Sequence, residues 1–471
     1  VGEIQHRTEL RATNDTSRTA WRTPQEVTSE RFANARSRRD TCTVNAEAKD
    51  DALPLLALVY GSLSLEQPLR RLTEASQGIC RLLWVLPFDR KDARVAIRLL
   101  KAEGEIEGDV VDASKMSPAE AAEAIRAYHP HGITCFIDET IAWTADVADL
   151  LGLPFHSRRT ATALTDKFEQ RNALRAYGLP TPDFWKAEEV ANDDVLTEVV
   201  QKVGLPVVLK PRRGVAGKDT EPLRSREELR AAAASVASDT MLIEGYIPDP
   251  ATPLTGPGSA PFASVELAVS RGSISILGVT GRTPLAAPFR ETGQLFPADV
   301  APSTRSGLIA TAIDAARALE VTTGVLHVEI KPTDDGPVVI EVNGRPGGGL
   351  VHHFIKRATG VDLLQLMMRL ALGGSFDLPL PESPSDVGFM FWVQPALDVH
   401  RITSVEGLER VQEIPGVEHV ALPPAAAPGS PFTWRTGSLG YVAEVSGTAR
   451  DHEDARRIRE QVLATIVVSG D

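Results

Sequence analysis

Cysteine is scarce in this chain: Cys42, Cys80 and Cys135 are scattered and lack the spacing of a metal site. An odd, sparse set builds no disulfide framework and points to a reducing, cytoplasmic setting. No apolar run approaches the roughly eighteen residues of a membrane span, and Arg7, Arg11 and Arg18 frame no secretory leader. Basic residues are outnumbered, 50 to 63, and the net charge of -13 argues against a nucleic-acid partner held by a basic surface. No internal repeat is visible, and residues 51–158 carry no glycine-rich nucleotide fingerprint. What is present is an ordinary 42% of hydrophobic residues over 471, enough for a sizeable core divided among two to four packed units.

Residues 1–50 are rich in Arg, Thr, Asn and Glu with almost no aliphatic run, the composition of a flexible extension. An α/β rhythm begins at Leu53. Leu53–Gly61, Arg81–Pro87 and Gly132–Asp138 read as buried parallel strands, with helices at Asp92–Ala102 and, capped by Ser117, Pro118–Tyr128. This predicts a doubly wound parallel sheet over 51–158. Ala161–Tyr177 reads as one long helix closed by Gly178. A smaller α/β unit over about 183–248 holds strands Pro206–Lys210 and Thr240–Ile243 and the helix Arg226–Ala237. Residues 248–261 are a Pro/Gly-rich loop or hinge. Strands then dominate to Asn343, with a helix at about 303–319. A further α+β segment, 376–471, ends in a charged helix at about 452–466.

The most informative stretch is Gly324–Gly349. Strands Val325–Lys331 and Val338–Asn343 flank Asp334-Asp335-Gly336, which reads as a three-residue hairpin loop with Thr333 paired to Pro337. That register sets Glu329 opposite Glu341 and His327 opposite Asn343, and turns Val328, Ile330, Ile340 and Val342 to the core. Two carboxylates facing across a ladder repel each other unless a cation lies between them. Oxygen ligands on one rigid face suit magnesium, whose shell is completed by phosphates. The alternative is a solvated charge ladder that includes Lys331.

The pattern E-(x)11-E-x-N-x-R, followed by glycines, resembles the metal and phosphate site of the ATP-grasp superfamily. Over about 150–375 other elements follow in that family's order: Thr165-Asp166-Lys167 opening a helix, Leu205–Lys210 ending in lysine, and Glu244–Ile247. The resemblance implies an ATP-grasp fold (159–375, with a small lid at about 183–248) between an N-terminal α/β domain and a C-terminal domain, 376–471, closing the site. It implies ATP and magnesium (or manganese) as cofactors, with Glu329, Glu341 and Asn343 as metal ligands. By position, Lys167 and Lys210 contact phosphates, while Gly214 and Gly217 lie in a loop that folds over them with Arg212, Arg213 and Lys218 nearby. Glu244, Tyr246 and Ile247 meet the adenine or ribose, and Glu266 lines the nucleotide. Arg345 stabilises the transferring phosphoryl group, with a structural salt bridge to the glutamates as its alternative.

Within the superfamily the nearest resemblance is to L-amino acid ligases of the bacilysin-synthetase type. Phe289–Ala298, Arg345–Leu350, Gly388–Gln394 and Ile414–Val417 carry it. It implies amide formation between two amino acids through an acyl phosphate, with no nucleophilic Ser or Cys, and homodimers are common among relatives. Gly347, Gly348 and Gly349 would receive a substrate carboxylate, and Glu291 a substrate ammonium unless it pairs with Arg290 or Arg282. Where relatives often carry His, this chain has Gln294. His352 and His353 read as a polar pair at a helix start or as substrate contacts. Two rival readings are a carboxylase using bicarbonate, although no biotinyl Met-Lys-Met occurs, and a non-catalytic ATP-binding regulatory module.

Overall fold

The structure, a computed structural model, describes residues 53–61, 66–89, 91–237, 239–376, 384 and 386–471. The expected extension, 1–50, and Cys42 lie outside the described residues. Four parallel strands, β1 (Leu55–Val59), β2 (Arg81–Leu86), β3 (Asp109–Asp112) and β4 (Gly132–Cys135), run in the order β3-β2-β1-β4. β1 and β2 are aliphatic on both faces because helices cover both, so Leu56, Leu58, Leu83 and Trp84 are fully buried. β3 begins and ends in aspartate at the sheet edge and gives no apolar signal. Ser117 caps the helix Pro118–Arg126 in a reciprocal capping box with Glu120, as expected from its sequence. Cys80 and Cys135 are free and buried, and burial pushes their thiols up to about 12 and about 11. Among the described residues no helix is long and apolar enough to cross a membrane.

The helix expected at 161–177 is two helices, Arg158–Thr165 and Lys167–Tyr177. Asp166 leaves the helical region (φ -125°, ψ 111°) because its carboxylate caps the second helix, accepting from Phe168 N at 3.0 Å. The same carboxylate takes the Arg212 guanidinium in a fork, at 3.1 and 2.8 Å, and Arg213 at 2.9 Å. Arg212 is therefore a buried structural cation and is not free to close over a ligand. β5 (Phe184–Lys186), β6 (Val207–Pro211), β7 (Glu221–Leu223) and β8 (Met241–Gly245) make a small antiparallel sheet in the order β5-β8-β6-β7.

The largest sheet holds β9 (Ala263–Ser270), β10 (Ser273–Arg282), β11 (Gly293–Phe296), β12 (Thr323–Lys331), β13 (Val338–Asn343) and β14 (Val387–Val393). It ends in β16 (Val417–Ala421) and β17 (Ala443–Ala449), in the order β13-β12-β9-β10-β11-β14-β17-β16. β15 (Ile402–Glu406) pairs separately with β18 (Val467–Gly470). Strands from the C-terminal segment thus continue the sheet that contains the hairpin. Leu326, Val328 and Ile330 of β12 pack beneath it against Leu308, Ala312 and Ala315 of the helix Pro302–Ala318.

The hairpin keeps the expected pairs Glu329–Glu341 and His327–Asn343, but by another route. The turn closes between Thr333 and Gly336, with reciprocal backbone bonds of 3.2 and 3.1 Å, so its loop is the two residues Asp334-Asp335. That closure pairs Lys331 with Val338 and Ile330 with Val339, one residue out of step with the site. A β-bulge at Ile340 restores the register. Val339 consequently fills the core position expected for Ile340, and Ile340 is only half-buried.

Candidate active site

The alternation of β12 turns Val325, His327, Glu329 and Lys331 to the face opposite the helix. Register carries two rows across four strands on that face. One runs Asn343–His327–Glu266–Gly278 and the next Glu341–Glu329–Ser264–Thr280. Glu266 is fully buried, accepting from Ser264 Oγ at 3.0 Å and meeting His327 Nδ1 at 2.7 Å. The other His327 nitrogen lies 3.3 Å from Glu329 Oε1. Burial pulls the imidazole down, but Glu266 and Glu329 outweigh it and raise the group to about 9, so it is a cation at neutral pH. Burial likewise pushes Glu329 up, yet His327, Arg282 and Arg345 hold it at about 2. Glu341 finds its cation in Lys167 Nζ, 2.8 Å away. The repulsion expected between the two glutamates is thus met by a separate cation on each.

Lys167 reaches further: its Nζ also donates to Gly214 O at 3.1 Å, tying the loop after β6 to Glu341. Lys210 and Glu244, on adjacent strands of the small sheet, are ion-paired and buried, and Arg171 Nε meets the second Glu244 oxygen at 3.1 Å. Glu244 lies below the ordinary carboxylate range because Arg171 and Lys210 overcome its burial. Lys210 is pulled down by that burial and by the charges of Arg171 and Lys167, against the attraction of Glu244. Tyr246 is exposed, with Lys331 Nζ 4.7 Å from its ring centre, and Ile247 O accepts from the same ammonium at 2.7 Å. Gly217 is left-handed (φ +67°), and a Cβ on it would stand 3.4 Å from Phe289 O.

Arg345 does not pair with the glutamates. Its Nε donates to Asp138 Oδ2 at 2.6 Å, and its Nη2 lies 3.5 Å from Asn343 Oδ1. Burial lowers this guanidinium's affinity for its proton, and Asp138, Glu341 and Glu329 more than restore it. Of the three glycines, Gly347 and Gly349 are needed for close approach. A Cβ would stand 2.7 Å from His327 Nδ1 in the first and 2.7 Å from Gln294 Oε1 in the second. Gly348 has open space around it, and its carbonyl accepts from Gln294 Nε2 at 3.3 Å. Glu291 is paired with Arg282 at 3.0 Å, the alternative that the sequence left open. His352 and His353 lie in the helix Val351–Thr359, and burial lowers the pKa of both.

Three contributors carry no role in the sequence reading: His327, Arg171 and Asp138. His327 shares the face of Glu329 at period two, and Arg171 stands one helical turn after Lys167, so periodicity points to both. Asp138 opens the helix Asp138–Leu151 just past β4, the carboxyl end of a strand in an open sheet, where such folds place ligand contacts. Arg282, named in the sequence only as a possible partner of Glu291, also reaches Ser264 Oγ and His327 Nε2, contacts that tertiary packing alone creates.

The donor set fits a hard cation that brings part of its own shell. Two carboxylates and an amide oxygen share one rigid face, and Glu266 Oε2, buried nearby, lacks a hydrogen-bond partner. Among the described residues no group of three or more His, Cys, Asp or Glu side chains could hold a metal. A magnesium ion here would therefore depend on phosphate oxygens or water to complete its octahedron.

A family model of the ATP-grasp domain matches residues 164–349, which span the Lys167 helix, the small sheet and strands β9 to β13 of the large one, through Gly349. Residues 164–349 are an ATP-grasp domain. An uncharacterized protein (y4rH) of Sinorhizobium fredii is 26% identical over 331 residues, 67% of this chain and 64% of that protein. Carnosine synthase 1 of mouse is 26% identical over 297 residues, 59% of this chain and 35% of that protein. The chain thus spans less than two thirds of the length of either relative. The crystal structure of an L-amino acid ligase from Bacillus licheniformis superposes with a TM-score of 0.67 at 21% identity, covering 89% of this chain and 99% of that one. At that identity the likeness establishes a shared mixed α/β ATP-grasp fold.

Proposed function

We propose that this chain is an ATP-dependent carboxylate–amine ligase that joins two amino acids. The observation that carries the reading is the cross-strand pair Glu329–Glu341 with Asn343, tied through Lys167 to the loop after β6. Similarity to carnosine synthase and to the fold of an L-amino acid ligase supports the amine acceptor. When bound, ATP with magnesium would supply the phosphoryl group that turns a carboxylate into an acyl phosphate; the amine then attacks the acyl carbon, losing a proton and expelling inorganic phosphate, to leave the amide.

The chain's own residues position and neutralise. Glu329, Glu341 and Asn343 would hold the metal, while Lys167 and Lys210 sit where phosphate charge needs point cations. Asp138 fixes the Arg345 guanidinium, leaving part of its fork for a phosphoryl or carboxylate oxygen. Glu291, held by Arg282, offers a carboxylate to a substrate ammonium. Gly347 and Gly349 admit a substrate carboxylate close to the backbone, because any side chain there would strike His327 or Gln294. Positioning two reactants in this way is the main source of rate in such a reaction.

The test is release of ADP and phosphate across pairs of amino acids, with product masses measured. Turnover with an amine and a product lighter than the sum of its parts by one water supports the ligase. Turnover that requires bicarbonate and no amine overturns it in favour of a carboxylase, and nucleotide binding without turnover favours a regulatory module.

A further inference from the structure

The loop 212–220 between β6 and β7 is held in an uncommon backbone. Ala216 (φ 56°), Gly217 (φ 67°) and Asp219 (φ 50°) are all left-handed, which for the two non-glycine residues persists only where neighbours enforce it. The enforcement comes from the far end of the chain. Ser438 N donates to Ala216 O at 2.8 Å, and Asp219 N donates to Arg435 O at 3.0 Å. Arg435 also pairs with Glu221 at 3.4 Å. Gly437 (φ 65°) makes the fit: a Cβ there would stand 2.2 Å from Ala216 O and 2.6 Å from Lys218 N.

The same segment grips the substrate side. Ser438 Oγ accepts from Glu291 N at 2.9 Å, and Gln394 Nε2 donates to Glu291 O and Ser438 O, each at 2.9 Å. One short element, Trp434–Gly440, is thus bonded through adjacent residues to the loop that Lys167 ties to Glu341 and to the segment that carries Glu291.

Resting on the ligase reading, we propose that Gly437 and Ser438 are positioning residues: they seat the 212–220 loop and the Glu291 segment as one unit. The nucleotide end and the ammonium end of the site are then assembled together, and occupation of one favours the other. The coupled ligands are ATP and the amino acid whose ammonium meets Glu291.

Two readouts test this. The first is tryptic cleavage at the exposed Arg213 and Lys218, followed by mass spectrometry, which needs no turnover. The docked loop is expected to resist, and Gly437→Ala to be cut at least about tenfold faster at those two residues with the remaining chain intact. Should Gly437→Ala fail to accumulate folded, Arg435→Ala, which loses the pair with Glu221, is expected to be cut about threefold faster. The second is the KM for ATP measured against amino-acid concentration. In the wild type it falls as the amino acid saturates. In Ser438→Ala, which keeps the backbone bond to Ala216, tryptic resistance stays, the amino-acid KM rises about tenfold and the dependence disappears. Equal cleavage of variant and wild type, or a Ser438→Ala effect on kcat alone, overturns the proposal. If no amino-acid pair turns over, the ligase reading fails, and the tryptic comparison still decides whether the segment seats the loop.

Discussion

The parallel sheet β3-β2-β1-β4 and the site face of the large sheet are both buried, yet they bury opposite chemistries. β1 and β2 exclude water with Leu56, Leu58, Leu83 and Trp84. Across β13, β12, β9 and β10 the buried groups include Asn343, His327, Glu266 and Arg282, each bonded to a neighbour, with Glu266 Oε2 left without a partner. An apolar interior gains stability from every residue it covers. A buried polar network gains little, since desolvation offsets attraction, and it persists where its charges are needed. The comparison assigns stability to one region and chemistry to the other.

Substitutions should therefore separate the two. The largest effect is expected at Glu341→Gln, which removes a ligand charge while preserving shape. Magnesium-dependent ADP formation should fall at least about 100-fold, with the thermal melt nearly unchanged. Undiminished activity would sink the assignment of the face. Leu58→Ala, fully buried in β1, should do the reverse. A loss of about 3 kcal/mol in denaturant unfolding is expected, with kcat retained wherever the chain is folded.

A third prediction concerns acid stability. His156 is buried, and burial lowers it to about 4 from its ordinary 6.5. The unfolded chain therefore takes up the proton first. The contribution is fully present above pH 6.5 and is lost as pH falls toward 4, by up to about 3 kcal/mol. Melts of wild type and His156→Leu between pH 7 and 4.5 measure this, and parallel slopes in the two would refute it. The smallest effect is expected at Gly336→Ala in the hairpin turn, where φ is +113° and the added methyl has open space. A loss of about 1 kcal/mol follows from backbone strain alone, read as a small shift in the denaturant midpoint.

How much of this was legible follows from the same contrast. The aliphatic runs at Leu55–Val59 and Arg81–Leu86 announce buried parallel strands, because covering both faces leaves no alternation to misread. The pairing of Glu329 with Glu341 was also readable, although it rested on a three-residue loop. The real turn is one residue shorter and the Ile340 bulge returns the difference, a compensation that strand periodicity does not encode. The break at Asp166 escaped the periodicity, because a helix-compatible sequence surrounds it, although the motif Thr165-Asp166-Lys167 marked a helix start; the Arg212 guanidinium that takes the same carboxylate lies 46 residues away. Partners such as Asp138 for Arg345, or Ser438 for Glu291, meet only once three segments have packed.

The central claim, that Glu329 and Glu341 hold the metal of the nucleotide, is tested most directly with manganese. Electron paramagnetic resonance of free manganese, titrated with protein in the presence of the non-hydrolysable nucleotide AMP-PNP, compares wild type with Glu329→Gln/Glu341→Gln. The account predicts that the wild type depletes the free-manganese signal more than the nucleotide alone does. The double variant should bind nucleotide without that additional depletion. Equal uptake of manganese by both proteins would contradict it.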